Sequence, residues 1–350
     1  MKDKIRIGLY GYGKVAELHA QAVKDSSLAE LVSVCGRNRD RRNVFAEKWR
    51  IASRDRPDEM AHHDRADAVI ISTPHPQHHS CALESFNAGL HVLVEKPMAV
   101  TTVQCDEMID ASKKAGKTLS VMSQRRWYPS CIRIRNAIDE GKIGKPVLAQ
   151  LTILGWRDKA YYESDPWRGK WDTEGGGILI NQAAHQIDLI HWYMGKHKEV
   201  LGFWDNFNHP YIEVEDSAVA AIRFINGGLG SVLASNSQKP GIYAKVHIHG
   251  DKAYSIGVQT DGGAMFIAGS SGITEPPLND LWTIPEEKEL LDTYRAQDEA
   301  FFKTIDPTVY FFSLQIDDFC GAIQNGRLPL STGEEGRQTV DFIEKIIKRR

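Results

Sequence analysis

Two architectures in succession are predicted for this chain: a parallel α/β domain over residues 1–123, and an α/β domain built on a large, mostly antiparallel open β-sheet over residues 124–350. Three observations predict them. Residues 5 to 122 alternate short β-branched runs with helical stretches, the rhythm of a parallel sheet covered on both faces. After about residue 124, alternating or apolar runs follow one another across Asn-Gly-Gly and Lys-Pro-Gly turns, the pattern of an antiparallel sheet. A chain of 350 residues also exceeds what one core usually holds.

In the first half the expected strands are IRIGLY, LVSVCG, AVIIST, HVLVEK and TLSVM, with helices over 14–25, 40–50, 76–89 and 101–116, where Ala, Glu, Lys and Leu recur at helical spacing. In the second half KPVLAQLTILGW, SAVAAIRFI, LGSVLAS and AKVHIHG read as strands, interrupted by helices near 181–195 and 309–326. GEEGRQTVDFIEKIIKRR closes the chain as a helix with basic residues in its last turn, as the helix dipole favours. Its stretch 334–348 is a candidate to pack back on the first domain. The run from Glu275 to Trp282 reads as an ordered loop ahead of an acidic stretch, Glu286 to Glu289.

Composition narrows the classes. Forty-three Lys and Arg against forty-six Asp and Glu give a net charge of −3, with 42% hydrophobic residues, and no basic-aromatic stripe suggests nucleic acid. The start MKDKIRIGLYGYG lacks the apolar core of a secretory signal, and no run reaches the ~18 apolar residues of a membrane span. Five cysteines, scattered and without a CxxC pair, fit a reducing cytoplasm and no metal site.

The first strand runs into Gly11-Tyr12-Gly13-Lys14-Val15-Ala16, a GxGxxA form of the dinucleotide fingerprint of a Rossmann domain. Gly11 permits the tight turn, Gly13 leaves room for a pyrophosphate, and Ala16 lets helix and strand pack closely. The helix starting there offers free N–H groups to phosphate. An acidic residue about 20 positions on would hold the ribose 2′-hydroxyl of NAD. Glu30 fits by count, but it opens the second strand rather than closing it. The tip reads Cys35-Gly36-Arg37-Asn38-Arg39, without a carboxylate. Arg37 there suits a 2′-phosphate, so NADP is favoured and NAD remains possible. Arg37 to Arg56 holds eight basic and three acidic residues, a local +5; beyond Arg37 it reads as a solvated basic helix face.

Thr73-Pro74 with His78, then Glu95-Lys96-Pro97 at a strand end, then Gly175-Gly176-Gly177 ahead of a helix with His185 and Asp188 resemble the Gfo/Idh/MocA family of NAD(P)-dependent oxidoreductases over nearly the whole chain. The resemblance implies that Thr73, Pro74, His78, Glu95 and Lys96 line the cofactor and that Pro97 is cis. Lys96 has an independent reason: the carboxyl end of a parallel strand faces the crevice where such sheets bind ligands. There it can hydrogen-bond a substrate hydroxyl and stabilise a forming alkoxide. His185 is the implied general base, with Asn181 four residues earlier on the same helical face. Polyol-oxidising members often carry aspartate where this chain has Asn181, and an amide cannot share a proton. Asp188 either orients the His185 ring or caps a polar helix face.

Trp156-Arg157, Tyr161-Tyr162 and Trp167-Arg168 with Trp171 place three of the eight tryptophans within sixteen residues. Their rings suit the C–H faces of a sugar, and Arg and Asn suit its hydroxyls; the alternative is a buried aromatic cluster. Arg125 and Arg126 line the same crevice or form ion pairs. His62-His63, the histidines of HPQHH, and His247 with His249 lack companions at metal-ligand spacing. The expected activity is hydride transfer between a secondary hydroxyl of a carbohydrate or cyclitol and NAD(P), in a homodimer or homotetramer with no membrane or nucleic-acid partner. The alternatives are cofactor-assisted glycoside cleavage through transient oxidation, and a non-catalytic dinucleotide or sugar sensor.

Overall fold

The computed structural model describes residues 4–262 and 275–348. They form two compact units, one of residues through Gln124 with Thr308–Val340, the other of Arg125–Pro307 with the residues from Asp341 on. A single cut near residue 123 therefore does not describe the chain. The physical reason is burial: the helix Pro307–Asn325 places Val309, Phe312, Ile316 and Phe319 in the same core as Ile7, Leu9 and Ala20. It also finishes a sheet edge. Gln315 accepts from Ser123 N at 2.8 Å and donates to Val121 O at 2.8 Å, supplying partners to backbone that has no further strand beside it. The closing helix, Gly333–Ile347, divides at Val340, with Gly333 against Leu119 and Gly336 against Val121 in the first unit.

The first unit is a six-stranded parallel sheet. Its strands β1 (Ile5–Tyr10), β2 (Ala29–Cys35), β3 (Ala52–Arg54), β4 (Ala68–Ile71), β5 (His91–Val94) and β6 (Leu119–Val121) lie in the order β3-β2-β1-β4-β5-β6. Alternation sends Ala68 and Ile70 into one core and Val69 and Ile71 into the other, because successive side chains point to opposite faces. The reversal of strand order between β1 and β4 marks the ligand end of such a sheet. Strand β3, with only three residues, and the short helix Pro57–His63 are too brief to register as periodic patterns.

The second unit carries a seven-stranded sheet of β7 (Pro146–Leu154), β8 (His197–Asp205), β9 (Ser217–Phe224), β10 (Leu229–Ser235), β11 (Tyr243–Gly250), β12 (Ser255–Gly262) and β13 (Leu278–Trp282). Their order is β13-β12-β11-β7-β10-β9-β8, antiparallel except for the parallel pair β7 and β10. Residues Leu278–Trp282, expected within a loop, are an edge strand paired to β12. Asn279 explains why it is hard to read: this polar residue is fully buried, donating to Ser130 O at 3.1 Å and Gly257 O at 3.0 Å. The expected helix over 181–195 is two pieces, Ile178–Asn181 and Ala184–Met194.

Candidate active site

In the first unit, β1 delivers the chain to helix Lys14–Asp25, whose N-cap is Gly13 and has no side-chain cap. Its first-turn N–H groups are thus available to an anion. Gly11 has φ +114°, and a Cβ there would lie 3.0 Å from the Ser72 carbonyl, so only glycine fits. A Cβ on Gly13 would meet nothing within 4 Å; the space is open on the side a pyrophosphate would occupy. Ala16 is fully buried against the strand. Ser72 Oγ, beside Gly11, is buried without a protein hydrogen-bond partner. Lys14 is exposed and Val15 half-buried at the same helix start. An uncapped helix start, an open glycine and an orphaned hydroxyl fit a dinucleotide phosphate.

At the β2 tip, Arg37 is exposed. Glu30 lies far from that tip in an ion pair with Arg6 at 2.8 Å, consistent with its place at the strand start. Tyr12 reaches across: its Oη accepts from Asn38 N at 2.7 Å, and its ring covers Gly36. The basic run is not a uniformly solvated face. Arg42 is buried, donating to Gly36 O at 2.7 Å and Ser53 Oγ at 2.8 Å and pairing with Asp55 at 2.6 Å, so it braces the tip that carries Arg37.

The turn after β5 is built by Glu95, Lys96 and a cis Pro97. Glu95 accepts from His19 Nε2 at 2.8 Å and from the Lys96 backbone N–H at 3.1 Å. Burial alone would raise its pKa, but the hydrogen bond and charge of His19 and the nearby Lys96 hold it below the ordinary carboxylate value. His78 lies between this turn and the Thr73-Pro74 turn. Its ring is fully buried, with Nδ1 2.8 Å from Pro97 O and Nε2 2.8 Å from Thr73 O. The ring thus bridges the Thr73-Pro74 turn and the Lys96-Pro97 turn, the one N–H of the neutral imidazole donating to one of the two carbonyls. Burial lowers its pKa, against the pull of the two carbonyls.

In the second unit Arg125 donates to Thr260 Oγ1 at 2.9 Å and makes a two-pronged pair with Asp261. This places its guanidinium in an internal clamp that Gln186 also joins, the ion pairing that was one of its two expected roles. Arg126 and Asp188 form a buried two-pronged pair at 2.8 and 2.6 Å.

The aromatic segment organises itself around Tyr161. Its Oη accepts from Arg168 Nη1 at 2.8 Å, Asn181 Nδ2 at 3.1 Å and Gln182 Nε2 at 3.1 Å. The Arg168 guanidinium stacks on Tyr161 and Trp167, 4.4 Å from each ring, while Arg157 lies 5.0 Å from the Tyr161 ring. Trp156 packs 5.2 Å from His209. Burial raises the Tyr161 pKa, so the phenol stays protonated.

The three glycines ahead of Asn181 are a close approach. A Cβ on Gly177 would sit 1.9 Å from Glu215 O. Glu215, fully buried, accepts from Gly177 N at 2.9 Å and Leu179 N at 3.1 Å. Burial pushes its pKa up to about 7. This clamp sets the short helix that ends at Asn181, and His185 follows half-buried in the first turn of Ala184–Met194.

Residues 5–123 match the model of an oxidoreductase family with an NAD-binding Rossmann fold, and residues 131–255 match the GFO/IDH/MocA C-terminal domain. The chain belongs to the Gfo/Idh/MocA oxidoreductase family. Oxidoreductase P35 of Formosa agariphila is 30% identical over 56% of this chain and 62% of its own length, so the chain spans less than two thirds of that relative. Myo-inositol 2-dehydrogenase of Thermotoga maritima is 28% identical over 71% of this chain and 73% of its own. The WlbA dehydrogenase of Bordetella pertussis, solved with NADH and UDP-GlcNAcA, has a TM-score of 0.84 at 26% identity, covering 99% of this chain and 96% of that one.

Several residues that hold the EKP turn and the GGG helix escaped sequence reasoning. His19 is a polar residue on the otherwise alanine-rich buried face of its helix, which was a usable signal. Glu174 directly precedes the glycines and is buried, and Glu215 with Asp216 forms an acidic pair just before β9; neither spacing advertises burial. Three of the discounted histidines have ordinary partners: His79 pairs with Glu107, His247 with Asp280 and His249 with Ser255. Among the described residues no three His, Cys, Asp or Glu side chains group as a metal site, and no helix is long and apolar enough to cross a membrane.

Proposed function

We propose that this chain transfers hydride between a secondary hydroxyl of a sugar, glycoside or cyclitol and NAD(P), with NADP favoured. The observation that carries the reading is Lys96 on the turn at the end of β5, buttressed by the pair of Glu95 with the buried His19, in a unit whose helix start fits dinucleotide phosphate. The relatives named for inositol and for a sugar nucleotide support the substrate class. The nicotinamide, when bound, supplies the hydride acceptor.

The chain's own residues do the rest. The Lys96 ammonium hydrogen-bonds the hydroxyl oxygen and stabilises the alkoxide as the C–H hydride leaves. His185 takes the hydroxyl proton, and Asn181 orients the hydroxyl without accepting that proton. Thr73, Pro74 and Glu95 line the nicotinamide side, and Trp156, Arg157, Trp167 and Arg168 frame the sugar. The carboxylate-free β2 tip with exposed Arg37 supports NADP.

The second-unit sheet supports self-association into a dimer or tetramer. Phe203, Val219 and Leu233 lie in register on three adjacent strands and are 77%, 46% and 44% exposed, a row that suits a second copy. Five buried free cysteines accord with a cytoplasmic location.

The test is nicotinamide absorbance with panels of sugars, inositols and glycosides and both cofactors. Activity that disappears in Lys96→Ala, and a loss in Arg37→Ala confined to NADP, are the expected results. No hydride transfer with any panel member refutes the reading, and equal loss with NAD and NADP refutes the cofactor choice.

A further inference from the structure

One buried residue holds three successive backbone N–H groups of the glycine turn. Gly177 N donates to Glu215 Oε2 at 2.9 Å, Ile178 N to the Glu215 carbonyl at 3.2 Å, and Leu179 N to Oε1 at 3.1 Å. The first N–H groups of a helix have no partner within it, so Glu215 supplies from across the chain what the short helix Ile178–Asn181 lacks. The grip is carried onward by the backbone. Ile178 O accepts from Gln182 N at 3.1 Å and Ala183 N at 2.8 Å, and Ala183 O accepts from Ile187 N at 2.8 Å, in the helix that carries His185.

The Glu215 carboxyl meets donors only. Besides Gly177 N and Leu179 N its own backbone N–H faces it, and no acceptor is among its partners within the described residues. An ionised carboxylate accepts from all three. A protonated one carries its hydrogen on Oε1 or Oε2, where a backbone N–H already points. That hydrogen has no acceptor to meet, so the contact on the oxygen that bears it gives way. Burial acts in the opposite sense and disfavours the charge; the balance leaves the pKa at about 7. Helix Trp171–Glu174 brings Glu174, which raises that pKa further, and helix Lys159–Glu163 brings Tyr162, a phenol that burial keeps protonated. On the same segment Asp216 turns to His209 at 2.7 Å and Glu213 to Trp171 N at 3.4 Å. Helix Ile178–Asn181 has no titratable side chain.

Resting on the function proposed above, we propose that Glu215 is a positioning residue whose proton sets the rate of turnover. Ionised, it grips the turn at Gly177 and at Leu179 and holds Asn181 and His185 in working geometry. Protonated, it lets go of one of the two and slows hydride transfer. It acts through the backbone of residues 177–183, so the site gains activity as pH rises through neutrality over and above the deprotonation of His185.

The experiment measures kcat from pH 6 to pH 8.5 in wild type and Glu215→Gln, with the most active member of a panel of sugars, inositols and glycosides. Glutamine keeps one acceptor, turns its NH2 toward the other backbone N–H, and stays in the released form at every pH. The ratio of the two kcat values cancels the ionisation of His185. With one buried hydrogen bond worth about tenfold, the ratio of wild type to variant is expected to climb from about twofold at pH 6 to about tenfold at pH 8.5. Over that range Glu215 ionises at a cost to the fold, which the glutamine variant escapes. A merely structural role therefore gives a ratio that is flat or falls.

A flat or falling ratio, with an active wild type, overturns the positioning role and leaves the dehydrogenase reading intact. Should Glu215→Gln not fold, the wild type decides by NMR. Its Gly177 and Leu179 amide resonances are expected to move through one transition near pH 7, and resonances that stay still from pH 6 to pH 8.5 overturn the proposal. A wild type inactive on every panel member overturns the dehydrogenase reading and this inference with it.

Discussion

The clamp beneath the glycine turn makes a quantitative prediction. Glu215 is fully buried and accepts two backbone N–H bonds, yet burial and the nearby Glu174 raise its pKa from the ordinary 4.5 to about 7. An unfolded chain releases this proton near its ordinary value, whereas the folded chain keeps it until about neutrality. Below the unfolded pKa both states hold the proton and there is no penalty. Between the two values the folded state binds more protons, so stability falls as pH rises, by about 1.4 kcal/mol per unit. Above the folded pKa the loss is complete, at about 3 kcal/mol.

Glu215→Gln keeps the shape and one acceptor and removes the titration. Urea unfolding followed by tryptophan fluorescence at steps from pH 5 to pH 8.5 should show wild type and variant differing little, or wild type ahead, at the acid end. The difference should then move by about 2.5 kcal/mol in favour of the glutamine variant as pH rises. Other titrating groups cancel in the comparison unless they couple to Glu215, as Glu174 does. A difference that is flat with pH, or that moves toward wild type as pH rises, would show that Glu215 is ionised throughout and that its two N–H donors outweigh its burial.

Other outcomes follow from the same geometry. Gly13→Ala meets open space, so the melting temperature should stay within a few degrees while the dinucleotide Kd, measured by calorimetry, rises about tenfold or more. Arg42→Met strands the Gly36 carbonyl and Ser53 and should cost about 2–3 kcal/mol in chemical unfolding; no loss would mean that the β2 tip holds without it. Phe203→Asp places a charge on the exposed row of the second sheet and should shift light scattering toward the monomer; an unchanged mass would move the contact elsewhere.

Local chemistry decided much of this protein by itself. Gly11, Gly13 and Ala16 declare the dinucleotide turn because each meets a requirement within a few residues of chain, namely a positive φ, an open approach and close packing. Alternating strands and helices fix the parallel sheet for the same reason, and the EKP and GGG segments place Lys96 and His185 at the ends of definite elements. Tertiary structure decided what long-range pairing controls. Where Arg125, Arg126 and His78 are held depends on Asp261, Asp188 and the Thr73 and Pro97 carbonyls, and charge or spacing along the chain does not reveal such partners. Residues 308–340 join the first unit because their apolar face matches a core formed some three hundred positions earlier.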